Sequence, residues 1–389
     1  MEFLEFLYKN IVDSFHQKVY YGTVPVPLLI LQMVMWVIGG VLIYLAIKKD
    51  MEPTLLLPMG FGAILVNLPN SGAVGAEGPL TVLFNAGIAN ELFPLLLFIG
   101  IGAMIDFAPI LSNPKLMLFG AAAQFGIFMT MSLASLFFPE KAAASIGIIG
   151  AADGPTAIVV GQELLSGTEH EGILGAIMVA AYSYMALVPI IQPPIIKLCT
   201  TKKERLIRMQ YKGRQVSKLT KILFPIFVTI IAGLVAPESV ALVGFLMFGN
   251  LIRECAVLDN LSDTAQHVLA NLITIFLGIC IATKMGAKDF LALDTLLVIA
   301  LGLFAFIFDT AGGVMFAKLY NLFAKEKINP MIGAAGISAF PMSGRVVHKM
   351  GLKEDPQNFL LMHSMAVNVS GQIASVIAGG LIMSFFIGG

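Results

Sequence analysis

The sequence predicts an all-α polytopic membrane protein, and three observations carry that prediction. Hydrophobic residues fill 58% of the 389 positions and charged residues only 12%, with 38 glycines on top. A soluble domain carries roughly a quarter of its residues as charges, and half that density cannot shield so apolar a chain. The apolar residues also gather into continuous stretches near the ~20 residues that carry a helix across a bilayer, which excludes a barrel of alternating ten-residue strands. Finally, two apolar stretches, 143–162 and 328–345, are interrupted by Gly and Pro at corresponding places in the chain.

Taken in order, residues 1–25 form an N-terminal interfacial helix. Glu2, Glu5, Lys9, Asp13 and Lys18 deny this segment the apolar core of a signal peptide, while Phe3, Leu4, Phe6, Leu7, Ile11 and Val12 cluster toward one side. Residues 26–198 form a first membrane repeat with spans at 26–47, 54–69, 91–111, 116–138 and 172–198. Residues 199–217 are the centre of a basic loop: from Lys197 to Lys221 nine basic residues face one acid, Glu204. The positive-inside rule makes this loop cytoplasmic. It is also a candidate docking surface for a soluble partner. The acidic loop of Glu163, Glu169 and Glu171 then falls on the opposite face. Residues 218–389 form a second repeat with spans at 218–236, 238–252, 266–284, 290–309 and 358–387. Counting the interrupted stretches in different ways brackets the total at 9–11 transmembrane segments.

The two halves resemble each other. Phe98-Ile-Gly-Ile-Gly102 recurs as Phe276-Leu-Gly-Ile-Cys280, Ile149-Gly-Ala-Ala152 as Ile332-Gly-Ala-Ala335, and Gly60-Phe61 with Asn67 as Gly244-Phe245 with Asn250. Three matches in one order at nearly one spacing indicate duplication, and the odd span count per half favours two inverted repeats. Transporters of that build place ions where helices break or re-enter, because Gly and Pro free carbonyls that a helix would lock.

Freed carbonyls, one carboxylate and a few neutral oxygens replace the water shell of a small hard cation. Asp153, in the first interrupted segment, is the central candidate: an intramembrane acid costs about 2.5–3.5 kcal/mol on insertion scales, which argues against an idle role. Helix N-capping is a compatible second use. Asn329, Ser338 and Asn368 offer neutral oxygens, or else interhelical hydrogen bonds. Tyr184 is a candidate hydroxyl and equally an interfacial anchor. Arg345 is placed to clamp a carboxylate or to counter Asp153, or to anchor a cytoplasmic helix end with Lys349 and Lys353. Asp106 and Lys284 read as snorkelling residues near span ends, and Asp309 as a helix terminus. One carboxylate suits a monovalent cation better than Ca²⁺.

Other classes are excluded. Lys+Arg and Asp+Glu balance at 24 each, so no basic excess points to nucleic acid. Cys199, Cys255 and Cys280 are too scattered for a disulfide framework or a zinc site. No Walker A motif, His-rich cluster or nucleophile–His set is recognisable.

At these residues the chain resembles the β subunit of sodium-translocating biotin-dependent decarboxylases. Gly150-Ala-Ala-Asp153-Gly-Pro-Thr-Ala-Ile158, the string from Ala180 through Tyr184 to Pro194, the segment Ser338–Arg345, and His363 with Asn368-Val-Ser-Gly371 carry the resemblance, which extends over essentially the whole chain. It implies a multi-pass subunit of a prokaryotic cytoplasmic membrane that decarboxylates carboxybiotin, exports Na+ and consumes a proton. The biotin would ride on a partner: a biotin carrier and a carboxyltransferase subunit, with a small membrane subunit and a homo-oligomeric core. The resemblance puts functional roles on Asp153, Tyr184 and Arg345, with Arg345 also facing the carboxylated biotin, and cation ligation on Asp153, Asn329, Gly333, Ser338 and Asn368. Departures are Ala151-Ala152 before the aspartate, extra residues around Gly167–Glu171, and Ser343-Gly344 before Arg345. From the residues alone, a Na+-coupled transporter of a small carboxylate fits equally well; the motifs separate the two. The acyl substrate, chosen by the carboxyltransferase, is not written in this chain.

Overall fold

The computed structural model describes residues 2–21, 24–49, 51–210 and 215–387. An N-terminal helix, α1 (Glu2–His16), leads into a small antiparallel hairpin of β1 (Lys18–Tyr21) and β2 (Val24–Pro27), the strand content of the described residues. Ile11 and Phe15 of α1 are exposed, as an unpartnered apolar face requires; the side chains of Phe3, Leu4, Phe6 and Leu7 lie outside those described.

The rest is helical. The first half contains α2 (Leu28–Lys49), α3 (Pro53–Val66), α4 (Pro79–Gly87), α5 (Leu92–Met104), α6 (Met117–Ala123), α7 (Phe125–Ala134), α8 (Glu140–Gly147), α9 (Gly154–Leu165) and α10 (Leu174–Cys199). The second contains α11 (Lys218–Val235), α12 (Val240–Cys255), α13 (Ala270–Ile281), α14 (Leu293–Phe323), α15 (Met342–Glu354) and α16 (Leu361–Ile387). Among the described residues seven helices are long and apolar enough to cross a membrane, and α4 with α5, bent by 63°, makes an eighth if counted as one span. Each of the ten spans read from the sequence contains helix, but 91–111 breaks after Met104 and 116–138 is divided at Gln124. Two of those helices are short: α3 has 14 residues and α12 has 16. At 1.5 Å per residue they reach only about 21 and 24 Å, less than the ~30 Å hydrocarbon core.

Burial separates periphery from centre. Only 11% of the α11 window and 22% of the α2 window is covered by protein, against 72% around α10 and 61% in α16. The outer helices therefore leave most of their apolar side chains uncovered by the rest of the chain. The inner ones carry the polar residues: Gln192, Asn368, Ser370, Gln372 and Ser375 are all buried.

Corresponding parts of the two halves pack reciprocally. α3 lies against α13, and its counterpart α12 lies against α5. Asn67 Nδ2 donates to Met285 O at 2.8 Å, while its counterpart Asn250 donates to Ile105 O at 2.9 Å. Such exchange of equivalent contacts is what a two-fold relation between repeats requires. Asp309 departs from expectation: it lies inside α14, 1% exposed, and does not end a helix. The following glycines permit close packing instead, since a Cβ on Gly313 would stand 2.2 Å from Gly333 O.

Candidate functional site

The two interrupted segments meet at the centre of the chain. In the first, α8 passes into a 3₁₀ turn (Ile148–Ala151), the backbone turns left-handed at Ala152 (φ 52°), extends at Asp153, and re-forms a helix at Gly154-Pro155. Proline is at home there, because the first helical turn needs no amide from it. In the second, a 3₁₀ segment (Pro330–Gly336) runs through Ser338 to α15. The segments touch directly: the Ser338 amide donates to Ala151 O at 3.1 Å.

Asp153 stands at the N-cap position of α9 and is 2% exposed. Its Oδ2 accepts three hydrogen bonds, from Thr156 Oγ1 at 2.8 Å, Gln372 Nε2 at 3.0 Å and Ser375 Oγ at 3.0 Å. Ser375 Oγ also meets Ser338 Oγ at 2.5 Å, and Ser338 Oγ reaches Gly371 O at 3.1 Å. Asn368 Nδ2 donates to Ile337 O at 2.7 Å, next to Ser338, which leaves its Oδ1 buried without a partner. Asp153, Ser338 and Asn368 are thus brought into one buried cluster. Its oxygens are hard and, apart from one carboxylate, neutral: a set that suits an alkali cation rather than a transition metal. Among the described residues no three His, Cys, Asp or Glu side chains meet.

The other candidates are placed elsewhere and make no hydrogen bond to that cluster. Asn329 caps the second 3₁₀ segment through Oδ1, which accepts from the Met331 amide at 3.1 Å. Its Nδ2 donates to Arg205 O at 2.8 Å and Ile207 O at 2.9 Å, tying the break to the basic loop. A Cβ on Gly333 would stand 2.0 Å from Gly313 O, so this glycine allows two backbones to touch. The Tyr184 hydroxyl donates to Ile299 O on α14. Arg345 is exposed on α15. Of the secondary candidates, Asp106 accepts from the Ala108 amide at 2.9 Å and Lys284 lies 4.9 Å over the Phe84 ring.

Thr156, Gln372 and Ser375 escaped the sequence reading. A signal for them existed: Thr156 follows Asp153 by one helical turn, and Gln372 and Ser375 follow Asn368 by four and seven residues, on one helix face. Tyr182 was also missed. Its ring packs on Gly154, where a Cβ would come within 2.3 Å of Cζ, and its hydroxyl is buried without a partner.

The chain is thus a helical membrane protein in which two broken segments meet beside the buried Asp153. Comparison with known proteins makes this specific. Residues 31–386 match the family described as Na+-transporting oxaloacetate decarboxylase beta subunit. The chain is 49% identical to the methylmalonyl-CoA decarboxylase subunit beta of Veillonella parvula and 48% identical to the glutaconyl-CoA decarboxylase subunit beta of Acidaminococcus fermentans, each match covering 90% of this chain and 92% of the relative. It is 44% identical to the oxaloacetate decarboxylase beta chain of Klebsiella pneumoniae, over 91% of this chain and 95% of the relative. The chain belongs to this family of decarboxylase β subunits.

Proposed function

We propose that the chain decarboxylates carboxybiotin delivered by a partner subunit and couples that step to Na+ export across the cytoplasmic membrane of a prokaryote. The observation that carries this reading is the buried Asp153 carboxylate, held by three neutral donors where the two broken segments cross. In this reading the cargo ion binds at Asp153, Ser338 and Asn368, whose hydroxyl and carboxamide oxygens can turn toward a cation. Asn329 and Gly333 complete the set by holding the second segment in place. Cleavage of the ureido N–CO₂⁻ bond releases CO₂ and returns a proton to the nitrogen, so each turnover consumes one proton. Tyr184 assists that proton's delivery, and Arg345 orients the carboxylated ring from the basic face.

The partners are a biotin carrier, a carboxyltransferase and a small membrane subunit, around a homo-oligomeric core. The relatives' names span three acyl substrates at 44–49% identity, as expected if the β subunit meets only the biotin and not the acyl group. Residues 1–25 lie on the membrane surface, and 199–217 join the repeats on the cytoplasmic side.

The test uses purified protein in proteoliposomes with carboxybiotin, following CO₂ release and ²²Na+ movement together across a Na+ titration. Na+-stimulated CO₂ release with coupled Na+ uptake, both lost in Asp153→Asn, is expected. Na+ movement that ignores carboxybiotin and follows a free carboxylate would overturn it.

A further inference from the structure

A chamber apart from the Asp153 cluster opens on the face that carries the basic loop. It encloses about 1060 Å³, at the upper end of small-molecule sites. Three loops bring basic residues to its lining: Lys115 from the turn before α6, Arg208 from the basic loop, and Lys325 and Lys327 from the stretch after α14. Glu326 is the one acid in that lining. Arg208 is already engaged, by Asp355 at 2.5 Å and Gln357 at 2.8 Å. Lys115, Lys325 and Lys327 are exposed and, among the described residues, form no ion pair, so the chamber keeps an excess of positive charge.

The length of α14 sets the depth at which this charge sits. Its 31 residues rise about 46 Å at 1.5 Å each, against ~30 Å of hydrocarbon. Even at the usual ~20° tilt the helix overruns the core and reaches the headgroup layer. The chamber end carries the pattern of that layer: Tyr320 and Phe323 line the chamber, and Lys325 and Lys327 follow, aromatic residues first and basic ones beyond. Lys318, on the same end of α14, pairs with Glu204 of the basic loop at 3.3 Å, which puts this end on the cytoplasmic side. Leu322 and Phe323 are 77% and 83% exposed, an apolar rim suited to acyl chains rather than to water. A basic pocket between helix ends, bordered by apolar side chains at headgroup depth, matches an anionic lipid in both charge and shape.

We propose that the chamber binds the headgroup of an anionic phospholipid, its phosphate held by Lys115, Lys325 and Lys327 and its acyl chains lying along Leu322 and Phe323. A free phosphate ion shares the charge but not the chains, and the experiment separates the two. The bound headgroup clamps the second broken segment from its cytoplasmic side. Lys327 stands two residues before Asn329, the cap of that segment. Leu116, next to Lys115, lines the chamber, and its carbonyl accepts from Ser370 Oγ on α16 at 3.4 Å. One phosphate held by both loops therefore ties the start of the second segment to α16 without entering the Asp153 cluster.

The full-length protein is reconstituted in phosphatidylcholine nanodiscs holding an increasing fraction of phosphatidylglycerol. Ser112→Cys, on the chamber wall, is labelled with an uncharged maleimide, and labelling of the native thiols is subtracted. Phosphatidylglycerol is expected to slow labelling in a saturable way, whereas inorganic phosphate added to pure phosphatidylcholine discs leaves the rate unchanged. Each lysine replaced by Gln at positions 115, 325 and 327 is expected to raise the half-protecting fraction about fivefold, and the triple variant to abolish protection. The triple Lys→Arg variant keeps the charge and is expected to keep the protection. These positions are exposed, so thermal unfolding in phosphatidylcholine discs is expected to match the parent's. Protection that survives in the triple Gln variant, or is lost in the Arg variant as well, would show that the lysine charges do not hold the headgroup and overturns the proposal. Protection by inorganic phosphate alone makes the chamber a soluble-anion site and also overturns it, as does a labelling rate indifferent to phosphatidylglycerol.

Discussion

The two broken segments share one pattern, Ile-Gly-Ala-Ala, yet they differ in what they carry. The first carries the charge: Asp153 ends a four-residue 3₁₀ turn and accepts three hydrogen bonds from Thr156, Gln372 and Ser375. The second carries none. Its seven-residue 3₁₀ run contributes two glycines that let backbones touch, Ser338 follows two residues after it, and it is pinned at its start by Asn329 to the basic loop. A duplicated frame can place two breaks in contact while only one bears the cost of a buried acid. That economy has a physical reason, because two carboxylates across a 3.1 Å backbone contact would repel in a low-dielectric interior.

The comparison breaks hardest at the charge. Asp153→Asn keeps the shape but removes the only carboxylate of the cluster, and loss of one partner from a buried charge interaction costs about 3–5 kcal/mol. Na+-dependent CO₂ release is expected to fall by two orders of magnitude or more. Ser338→Ala in the second break removes one neutral hydroxyl and is expected to cost about fivefold, the ~1 kcal/mol scale of a neutral hydrogen bond. Equal losses in the two variants, measured as apparent Na+ affinity in proteoliposomes, would show that the asymmetry between the segments is not functional.

A smaller effect tests the donors that sequence reading missed. Gln372→Leu removes one of three donors to Asp153 Oδ2 and leaves the carboxylate less well held. The expected change is a several-fold shift in apparent Na+ affinity, from the ~1.5–3 kcal/mol scale of hydrogen bonds to charged groups, partly offset by the remaining two. A Na+ titration matching the wild type would remove Gln372 from the site.

Packing gives a third contrast, read as thermal stability in detergent. Gly333→Ala drives a methyl to 2.0 Å from Gly313 O, a backbone atom that cannot step aside. Overpacking of that kind costs about 1–3 kcal/mol. Gly150→Ala, at the matching place in the first break, meets nothing nearer than 3.2 Å and is expected to cost less. The reverse order would mean that the second segment is the looser of the two.

Much of this was legible in the sequence because membrane physics writes it there. Continuous apolar stretches mark the spans, and Gly and Pro mark the breaks. An aspartate inside apolar sequence marks the buried charge. What stayed hidden depends on how helices pack. Asp309 read as a helix terminus because Thr310-Ala-Gly-Gly follows it, whereas those glycines serve a close approach inside α14. Gln372 and Ser375 gave a helical spacing from Asn368, but spacing alone does not say which face meets Asp153. Asn329 shows the converse: its identity pointed to an oxygen ligand, while its place at the segment's start commits the side chain to the loop carbonyls of Arg205 and Ile207.

The smallest expected effect concerns that loop, and it turns on sign. Arg205 pairs with Glu354 at 2.9 Å, Arg208 with Asp355 at 2.5 Å, and Lys318 with Glu204 at 3.3 Å, which together fasten the loop to the second half. The hydrogen bond from Arg208, helped by the Gln357 amide, holds the Asp355 carboxyl below its ordinary range. At Glu204 burial pushes upward, but bonds from the Thr201 amide and hydroxyl and from Lys318 outweigh it, and the net shift is also downward. A carboxylate whose folded-state pKa is depressed contributes its stability above the unfolded value and loses it as pH falls through the folded one. The fastening is therefore fully present at neutral pH and lets go only below about pH 4, the ordinary carboxylate range. Limited proteolysis of the 200–210 loop is expected to be flat from pH 8 to pH 5. A cleavage rate that already rises between pH 7 and pH 5 would mean that groups other than these carboxylates hold the loop, and that the second break is not anchored through them.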